Sequence, residues 1–235
     1  MNKQSNIYTT IYIIVLVLIV GTALAATSLA LRDRQQDNVN ADKMRQILAS
    51  VKITSDGADV KAIFDRYIVE QLVVNAKGEE TDGDAFDINV AEQAKLDPAE
   101  RKLPVFVCKT DDGSLKYILP AYGAGLWGPI WGYISVDANG STVYGAFFAH
   151  QGETPGLGAE IEKPKFCDQF PGKQLITGDE FHPIAVVKAG QTPAGAEDYT
   201  VDGVSGGTIT SKGVSDMLAN CLSPYKTFLE NLSSK

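Results

Sequence analysis

Residues 202–214 have the sequence Asp-Gly-Val-Ser-Gly-Gly-Thr-Ile-Thr-Ser-Lys-Gly-Val, a run of small and hydroxyl-bearing side chains. A short β-like run, 198–201, precedes it, and apolar residues with the spacing of one helical face follow it. Small residues ahead of a helix N-terminus let free N–H groups approach a phosphate, which the positive end of the helix dipole also attracts. The pattern therefore predicts a phosphate-binding turn before a helix capped by Thr210 or Ser211. An ordinary helix-capping turn is the alternative.

Within this stretch, Asp-x-x-Ser-Gly-Gly-Thr at 202–208 resembles the covalent flavinylation motif D-x-x-[S/T]-G-A-T. In proteins with that motif, a flavin transferase uses FAD to attach FMN to the last threonine through a phosphoester bond. The resemblance implies Thr208 as the attachment residue, and it implies five further cofactor-binding residues: Asp202, Ser205, Gly206, Gly207 and Thr210. Gly207 departs from the motif, which usually has alanine there. The longer form, with Thr210-Ser211, is similar to the NqrC family of the Na⁺-translocating NADH:quinone oxidoreductases and to the related RnfG proteins of the Rnf complex.

Two more segments resemble the same family. Residues 122–132 are Tyr-Gly-Ala-Gly-Leu-Trp-Gly-Pro-Ile-Trp-Gly, and residues 153–158 are Glu-Thr-Pro-Gly-Leu-Gly. The resemblance implies cofactor contacts from Leu126, Trp127, Glu153, Thr154, Gly156, Leu157 and Gly158.

Each contact has a physical rationale and an alternative. An indole can stack on a flavin ring, and a Pro-Gly turn exposes backbone N–H groups that, with the Thr154 hydroxyl, can bind carbonyl oxygens. Glu153 can accept from a ribityl hydroxyl or hold the loop. The alternatives are a core tryptophan, favoured for Trp131 and left open for Trp127, and solvated surface carboxylates for Glu153 and Glu160, favoured for Glu160 only.

Composition excludes several classes of function. The chain has 235 residues and a formal net charge of −8 without a basic cluster, so no nucleic-acid binding is expected. Its three cysteines, Cys108, Cys167 and Cys221, lack zinc-like spacing, so no metal site is predicted. We interpret them as buried apolar residues, with one disulfide as the alternative. His150 has no evident nucleophile partner, and we interpret it as structural.

An uncharged apolar run at 11–31 is long enough to cross a bilayer, which takes about 20 residues. It is interpreted as a single membrane anchor, with a signal peptide cleaved after Ala23-Leu24-Ala25 as the alternative. Arg32 and Arg34 outnumber Lys3, which by the positive-inside rule favours a cytoplasmic domain. The resemblance implies the opposite, a soluble domain on the periplasmic side of the bacterial cytoplasmic (inner) membrane, and we adopt it.

The order of elements indicates an α+β fold, a mostly antiparallel sheet with helices packed on one face, preceded by a transmembrane helix. Predicted strands lie at 68–75, 103–108, 117–122, 130–136, 142–149 and 183–187, and Asp-Ala-Asn-Gly at 137–140 is a hairpin signal. A helix is predicted to lead away from the membrane at 33–53. The expected domains are 1–31 (tail and transmembrane helix), 32–100 (helical linker and start of the soluble domain) and 101–235 (FMN-binding domain).

Taken together, the resemblance implies a membrane-anchored flavoprotein whose covalent FMN relays electrons within a Na⁺-pumping NADH:quinone oxidoreductase. Its expected partners are the other subunits of the membrane redox complex, the membrane and a flavin transferase. An RnfG-type protein with covalent FMN is one alternative. A non-redox, membrane-anchored binding module is another, and it would be colourless when purified. Since the apolar run contains no carboxylate, this protein is not expected to conduct Na⁺ itself.

Overall fold

A single long helix, α1 (Asn6–Ser50), opens the part of the chain that the computed structural model describes, residues 6–55, 57, 59–178 and 180–233. Among these residues it is the one helix long and apolar enough to cross a membrane, with a mean hydropathy of 2.5 in its most apolar window. The helix predicted separately at 33–53 is continuous with the apolar run, because no proline interrupts it. Lys3, which entered the charge comparison, lies outside the described residues.

The chain divides between Lys43 and Met44 into two compact units, and the second contains the sheet. Five antiparallel strands follow one another in sequence order. They are β1 (Ile68–Val74), β2 (Leu103–Lys109), β3 (Leu115–Ala124), β4 (Pro129–Asp137) and β5 (Val143–His150). Gly140 closes the β4–β5 hairpin with φ +71°, and its N–H donates to Asp137 O at 2.9 Å. The predicted strands and hairpin at these positions are confirmed.

One face of the sheet packs against the helices that end the chain. These are α5 (Thr208–Leu222) and α6 (Lys226–Ser233), joined by a 3₁₀ turn, Ser223–Tyr225. Leu119 of β3 and Ile134 of β4 are fully buried in one cluster with Leu218 of α5. Helix α5 therefore lies along β3 and β4.

The other face of the sheet is covered as well, so the prediction of helices on one face only is wrong. Alternate residues of a strand point to opposite faces. Ser135, next to Ile134 on β4, donates its hydroxyl to Ser50 O at 2.6 Å, and Trp131 Nε1 donates to Gln46 Oε1 at 2.9 Å. Helix α2 (Val60–Tyr67) adds Phe64, whose ring meets that of Phe106 edge-on at 6.4 Å. The last turns of α1 thus bury a second apolar layer.

Short elements fill the rest of this unit. Two one-turn helices, α3 (Val90–Gln93) and α4 (Pro164–Cys167), and three further 3₁₀ turns, Pro98–Glu100, Gly158–Glu162 and Glu197–Tyr199, lie in the connections. Strands β6 (Ile176–Thr177) and β7 (Glu180–Phe181) form a small hairpin. Strand β8 (Ala185–Val187), predicted at 183–187, pairs in parallel with β9 (Thr200–Asp202) outside the main sheet. This parallel pair delivers the chain to the start of α5.

Candidate cofactor site

The turn 203–207 connects β9 to α5, and the helix begins at Thr208 with Gly207 as its N-cap. The prediction that Thr210 or Ser211 caps the helix is therefore wrong, and Thr208 is its first residue. Both hydroxyls have other partners: Thr210 Oγ1 donates to Glu153 Oε2 at 2.6 Å, and Ser211 Oγ accepts from Val204 N at 2.9 Å. The first turn of α5 consequently has no side-chain cap. Its N–H groups remain available to a ligand.

Two glycines in this turn lie close to neighbouring residues. Gly206 has φ +79°, and a Cβ there would lie 2.6 Å from Leu157 Cδ2. Gly207, where the flavinylation motif usually has alanine, has a Cβ position 3.2 Å from the Val204 side chain and 3.3 Å from Gly158 N. The turn therefore lies directly against the loop that contains Leu157 and Gly158.

The three hydroxyls at the start of α5 differ in their availability. Thr208 is exposed, and its side chain forms no hydrogen bond with any described residue. Thr210 is 1% exposed and Ser211 is also buried, each with its hydroxyl engaged. Within this turn of helix, only Thr208 presents a free hydroxyl among the described residues. Ser205, in the preceding turn, is exposed too.

Glu153 holds three segments together. Its side chain is 4% exposed, Oε1 accepts from Trp127 N at 2.8 Å, and Oε2 accepts from Thr210 Oγ1. Burial acts to raise the pKa of this carboxyl, but the hydrogen bonds from Thr210 and from the Trp127 and Leu126 backbones, with His150 nearby, hold the pKa below its usual value. The solvated-carboxylate alternative is therefore wrong for Glu153. The carboxylate joins its own loop to the β3–β4 hairpin and to α5.

Two residues near Glu153 in the sequence, His150 and Glu160, also form hydrogen bonds that hold this loop. His150 Nδ1 accepts from Glu153 N at 3.1 Å, a structural role as expected. Glu160 is half-buried, and its carboxylate accepts from Gly156 N at 3.1 Å. These bonds fix both ends of the turn at 154–157.

The tip of the β3–β4 hairpin, residues 125–128, carries the exposed aromatic side chain of the site. Gly125 N donates to Gly128 O at 2.8 Å, and this tight turn leaves the Trp127 ring 69% exposed beside an exposed Leu126. Trp131, held by its bond to Gln46, is half-buried. The two tryptophans thus have different surroundings, and it is Trp127 whose backbone N–H donates to Glu153, although its ring lines neither cavity described below.

The same loops line two cavities. One, of about 200 Å³, is lined by nine of the predicted site residues: Leu126, Glu153, Thr154, Leu157, Gly158, Gly206, Gly207, Thr208 and Thr210. It also includes Ile209, an exposed apolar residue that sequence reasoning missed. A second cavity, of about 630 Å³, takes in three more predicted residues, Asp202, Ser205 and Gly156, together with Glu160, Lys165, Phe166, Gln169, Ala189, Gly203 and Val204.

Asp202 and Lys165 both line the larger cavity, but only Asp202 was predicted from the sequence. Asp202 Oδ1 accepts from Gly190 N at 3.1 Å, and its backbone exchanges hydrogen bonds with the Gln169 side chain. Asp202 therefore orients the turn in the structure. Lys165, on α4, belongs to none of the motifs identified in the sequence.

The three cysteines are free; Cys108 and Cys221 are buried, as expected, and Cys167 is half-buried. Burial raises the pKa of Cys108 and of Cys167 to about 11, so both thiols stay protonated at neutral pH. No group of potential metal ligands occurs among the described residues.

Comparison with known proteins connects this geometry to a family. The family model described as an FMN-binding domain matches residues 125–223, a range that contains every residue lining the two cavities. The NqrC protein of the Na(+)-translocating NADH-quinone reductase of Vibrio vulnificus is 37% identical over 232 residues, which cover 91% of this chain and 90% of that protein. The chain belongs to the NqrC family.

Two further relatives agree with this assignment. NqrC of Vibrio alginolyticus is 36% identical over 220 residues, covering 86% of this chain and 84% of that protein. The crystal structure of NqrC from Parabacteroides distasonis has 50% sequence identity and a TM-score of 0.79, covering 85% of this chain and 96% of that one. Family membership and the α+β fold predicted from the sequence are both confirmed.

Proposed function

We propose that this protein is a membrane-anchored flavoprotein that carries FMN on Thr208 and relays electrons within a Na⁺-translocating NADH:quinone reductase. The observation that carries the proposal is the free, exposed Thr208 hydroxyl at the first position of α5, inside the range that matches the FMN-binding domain. A phosphoester requires a hydroxyl, and the hydroxyls of Thr210 and Ser211 are already occupied.

The residues present fit the phosphate end of FMN. The first-turn N–H groups of α5 are uncapped, and the positive end of the helix dipole favours an anion there. Gly206 and Gly207 bring the backbone close to Thr208 without side chains. A phosphate attached to Thr208 would therefore lie where the chain offers donors.

The flavin end needs more room than the smaller cavity provides. A volume of about 200 Å³ is below the roughly 300–1,000 Å³ of typical ligand pockets. Leu126, Thr154, Leu157 and Ile209 line this cavity and supply exposed apolar area and polar groups for the rest of the cofactor. Trp127 lines neither cavity, but its exposed ring lies next to Leu126 on the hairpin tip. When bound, FMN supplies the one-electron chemistry, and the chain holds it in place and tunes it.

The proposed location rests on the apolar helix and on the family resemblance, and the proposed partners rest on the relatives. We place α1 across the bacterial cytoplasmic membrane and the sheet-containing unit on its outer side, where a flavin transferase would attach the FMN. Covalent attachment suits that location, because no cytoplasmic FMN pool could replace a lost cofactor. The relatives are subunits of a reductase, so the remaining subunits of such a complex are the proposed redox partners. The domain boundaries at 31/32 and 100/101 remain predictions.

The test is co-expression of the full chain with a flavin transferase, followed by a denaturing gel viewed under ultraviolet light. The unaltered band should fluoresce, and Thr208→Val should remove the fluorescence, because valine keeps the shape of threonine without its hydroxyl. Ser215→Ala is the matched control, since it removes a hydroxyl of the same helix outside the motif, one that accepts from Val186 N, and should keep the fluorescent band. A fluorescent Thr208→Val band, or a peptide mass with FMN elsewhere, would refute the assignment.

A further inference from the structure

Glu153 contributes a buried charge that the attachment of FMN to Thr208 does not require. Gly125 and Gly158 lie directly against its carboxylate: a Cβ on them would come within 2.5 Å of Oε1 and 2.4 Å of Oε2, respectively. The backbone therefore lies close to both oxygens. The bonds from Trp127 N and Thr210 Oγ1 fix the orientation of the carboxylate.

No described lysine or arginine forms an ion pair with this carboxylate, and His150 is the one neighbour with a charge effect on it. His150 Nδ1 accepts from Glu153 N, so that nitrogen carries no proton. Burying a carboxylate without a counter-ion costs free energy. Here the hydrogen bonds to Glu153 more than offset that cost, since its pKa lies below the usual value and the side chain stays ionised. The site therefore contains a stable negative charge that no described lysine or arginine neutralises.

The carboxylate and the attachment residue line the same cavity of about 200 Å³. We propose that the negative charge of Glu153 lowers the redox potential of the flavin carried by Thr208. This proposal rests on the proposed function. Each electron that a reductant delivers adds one negative charge to the flavin until a proton neutralises it. A fixed, buried anion that lines this cavity raises the free energy of that reduced form more than the free energy of the oxidised form.

Glu153 is therefore a positioning residue that acts in two ways: its hydrogen bonds hold the loops together, and its charge acts on the flavin. Two substitutions separate these roles. Glu153→Gln keeps the size of the side chain and an oxygen that accepts from Trp127 N, and its amide can donate to Thr210 Oγ1. It removes the charge and reverses the direction of the hydrogen bond with Thr210, while both partners of the clamp remain. Thr210→Val does the reverse, since it removes one hydrogen bond of the clamp and leaves the carboxylate in place.

The experiment measures the midpoint potential of the full chain, purified in detergent after co-expression with a flavin transferase, by dithionite titration with redox dyes. Glu153→Gln should raise the potential. Glu160→Gln is the matched control, because Glu160 is a carboxylate on the same loop that accepts from Gly156 N but is only half-buried. Its shift should be smaller, since solvent screens its charge. Thr210→Val should shift the potential less than Glu153→Gln does.

Two results would overturn the proposal: a Glu153→Gln shift no larger than that of Glu160→Gln, or an equal shift in Thr210→Val, which would indicate a purely structural role. Should Glu153→Gln fail to fold, the reduced-minus-oxidised infrared spectrum of the unmutated chain replaces it. We expect that spectrum to contain a carboxylate band, and we expect the spectrum of Glu160→Gln to contain the same band. The absence of the band would overturn the proposal. A wild-type band without flavin on a denaturing gel would instead refute the proposed function.

Discussion

Thr210→Val tests the bond between α5 and the Glu153 loop. The substitution removes the hydroxyl that donates to the buried carboxylate at 2.6 Å and replaces it with a methyl group of nearly equal size. A hydrogen bond to a charged group contributes about 1.5–3 kcal/mol, and Oε2 would be left without this donor. We expect the free energy of unfolding to fall by about 2 kcal/mol. Thr208→Val, which removes an exposed hydroxyl without a described partner, should change it by less than about 0.5 kcal/mol.

The assay is urea unfolding of the full chain in detergent, followed by tryptophan fluorescence. Both tryptophans of the chain, Trp127 and Trp131, lie on the β3–β4 hairpin and so report on this unit alone. The pH dependence supplies a second check. The pKa of Glu153 is held below its usual value in the folded state, so its ionisation stabilises the fold above the unfolded pKa of about 4.3.

That stabilisation is lost as the pH falls through the lower, folded-state pKa. The destabilisation caused by Thr210→Val should therefore shrink in acid. A loss of stability as small as that of Thr208→Val would refute the bond between Thr210 and Glu153. A loss that stays constant from neutral pH to acid would show that the hydroxyl has a partner other than an ionised carboxylate.

Three further outcomes are expected. Gly206→Ala should destabilise the fold more than Gly156→Ala in the same urea assay, because both glycines have positive φ but only Gly206 would place a Cβ against Leu157; equal losses would contradict the close approach. Cys108 and Cys167, whose thiol pKa burial raises to about 11, should resist iodoacetamide at pH 8 until urea unfolds the chain, as mass spectrometry can show; rapid labelling of the folded chain would count against their burial. An alkaline phosphatase fused to the carboxyl terminus should be active and a fluorescent protein there dark, whereas the reverse would place the unit in the cytoplasm.

Much of the fold is local and was predictable. The apolar run at 11–31, the β-rich segments and the Asp-Ala-Asn-Gly turn each indicate their own structure, because side-chain periodicity and turn chemistry act over a few residues. Coverage of the second sheet face was not predictable. It depends on the last turns of α1 meeting β4, and the bond between Ser50 and Ser135 joins residues 85 positions apart.

For the candidate site, the sequence by itself determined the family resemblance, the register that selects Thr208 and the glycines of the turn. Only the tertiary structure decided which hydroxyl is free. Thr210 and Ser211 look equally available in the sequence and were expected to cap the helix. Thr210 is instead occupied by Glu153, 57 residues away, and α5 begins at Thr208, ahead of both. The availability of a hydroxyl, like the burial of a carboxylate, depends on partners that folding brings together from distant parts of the chain.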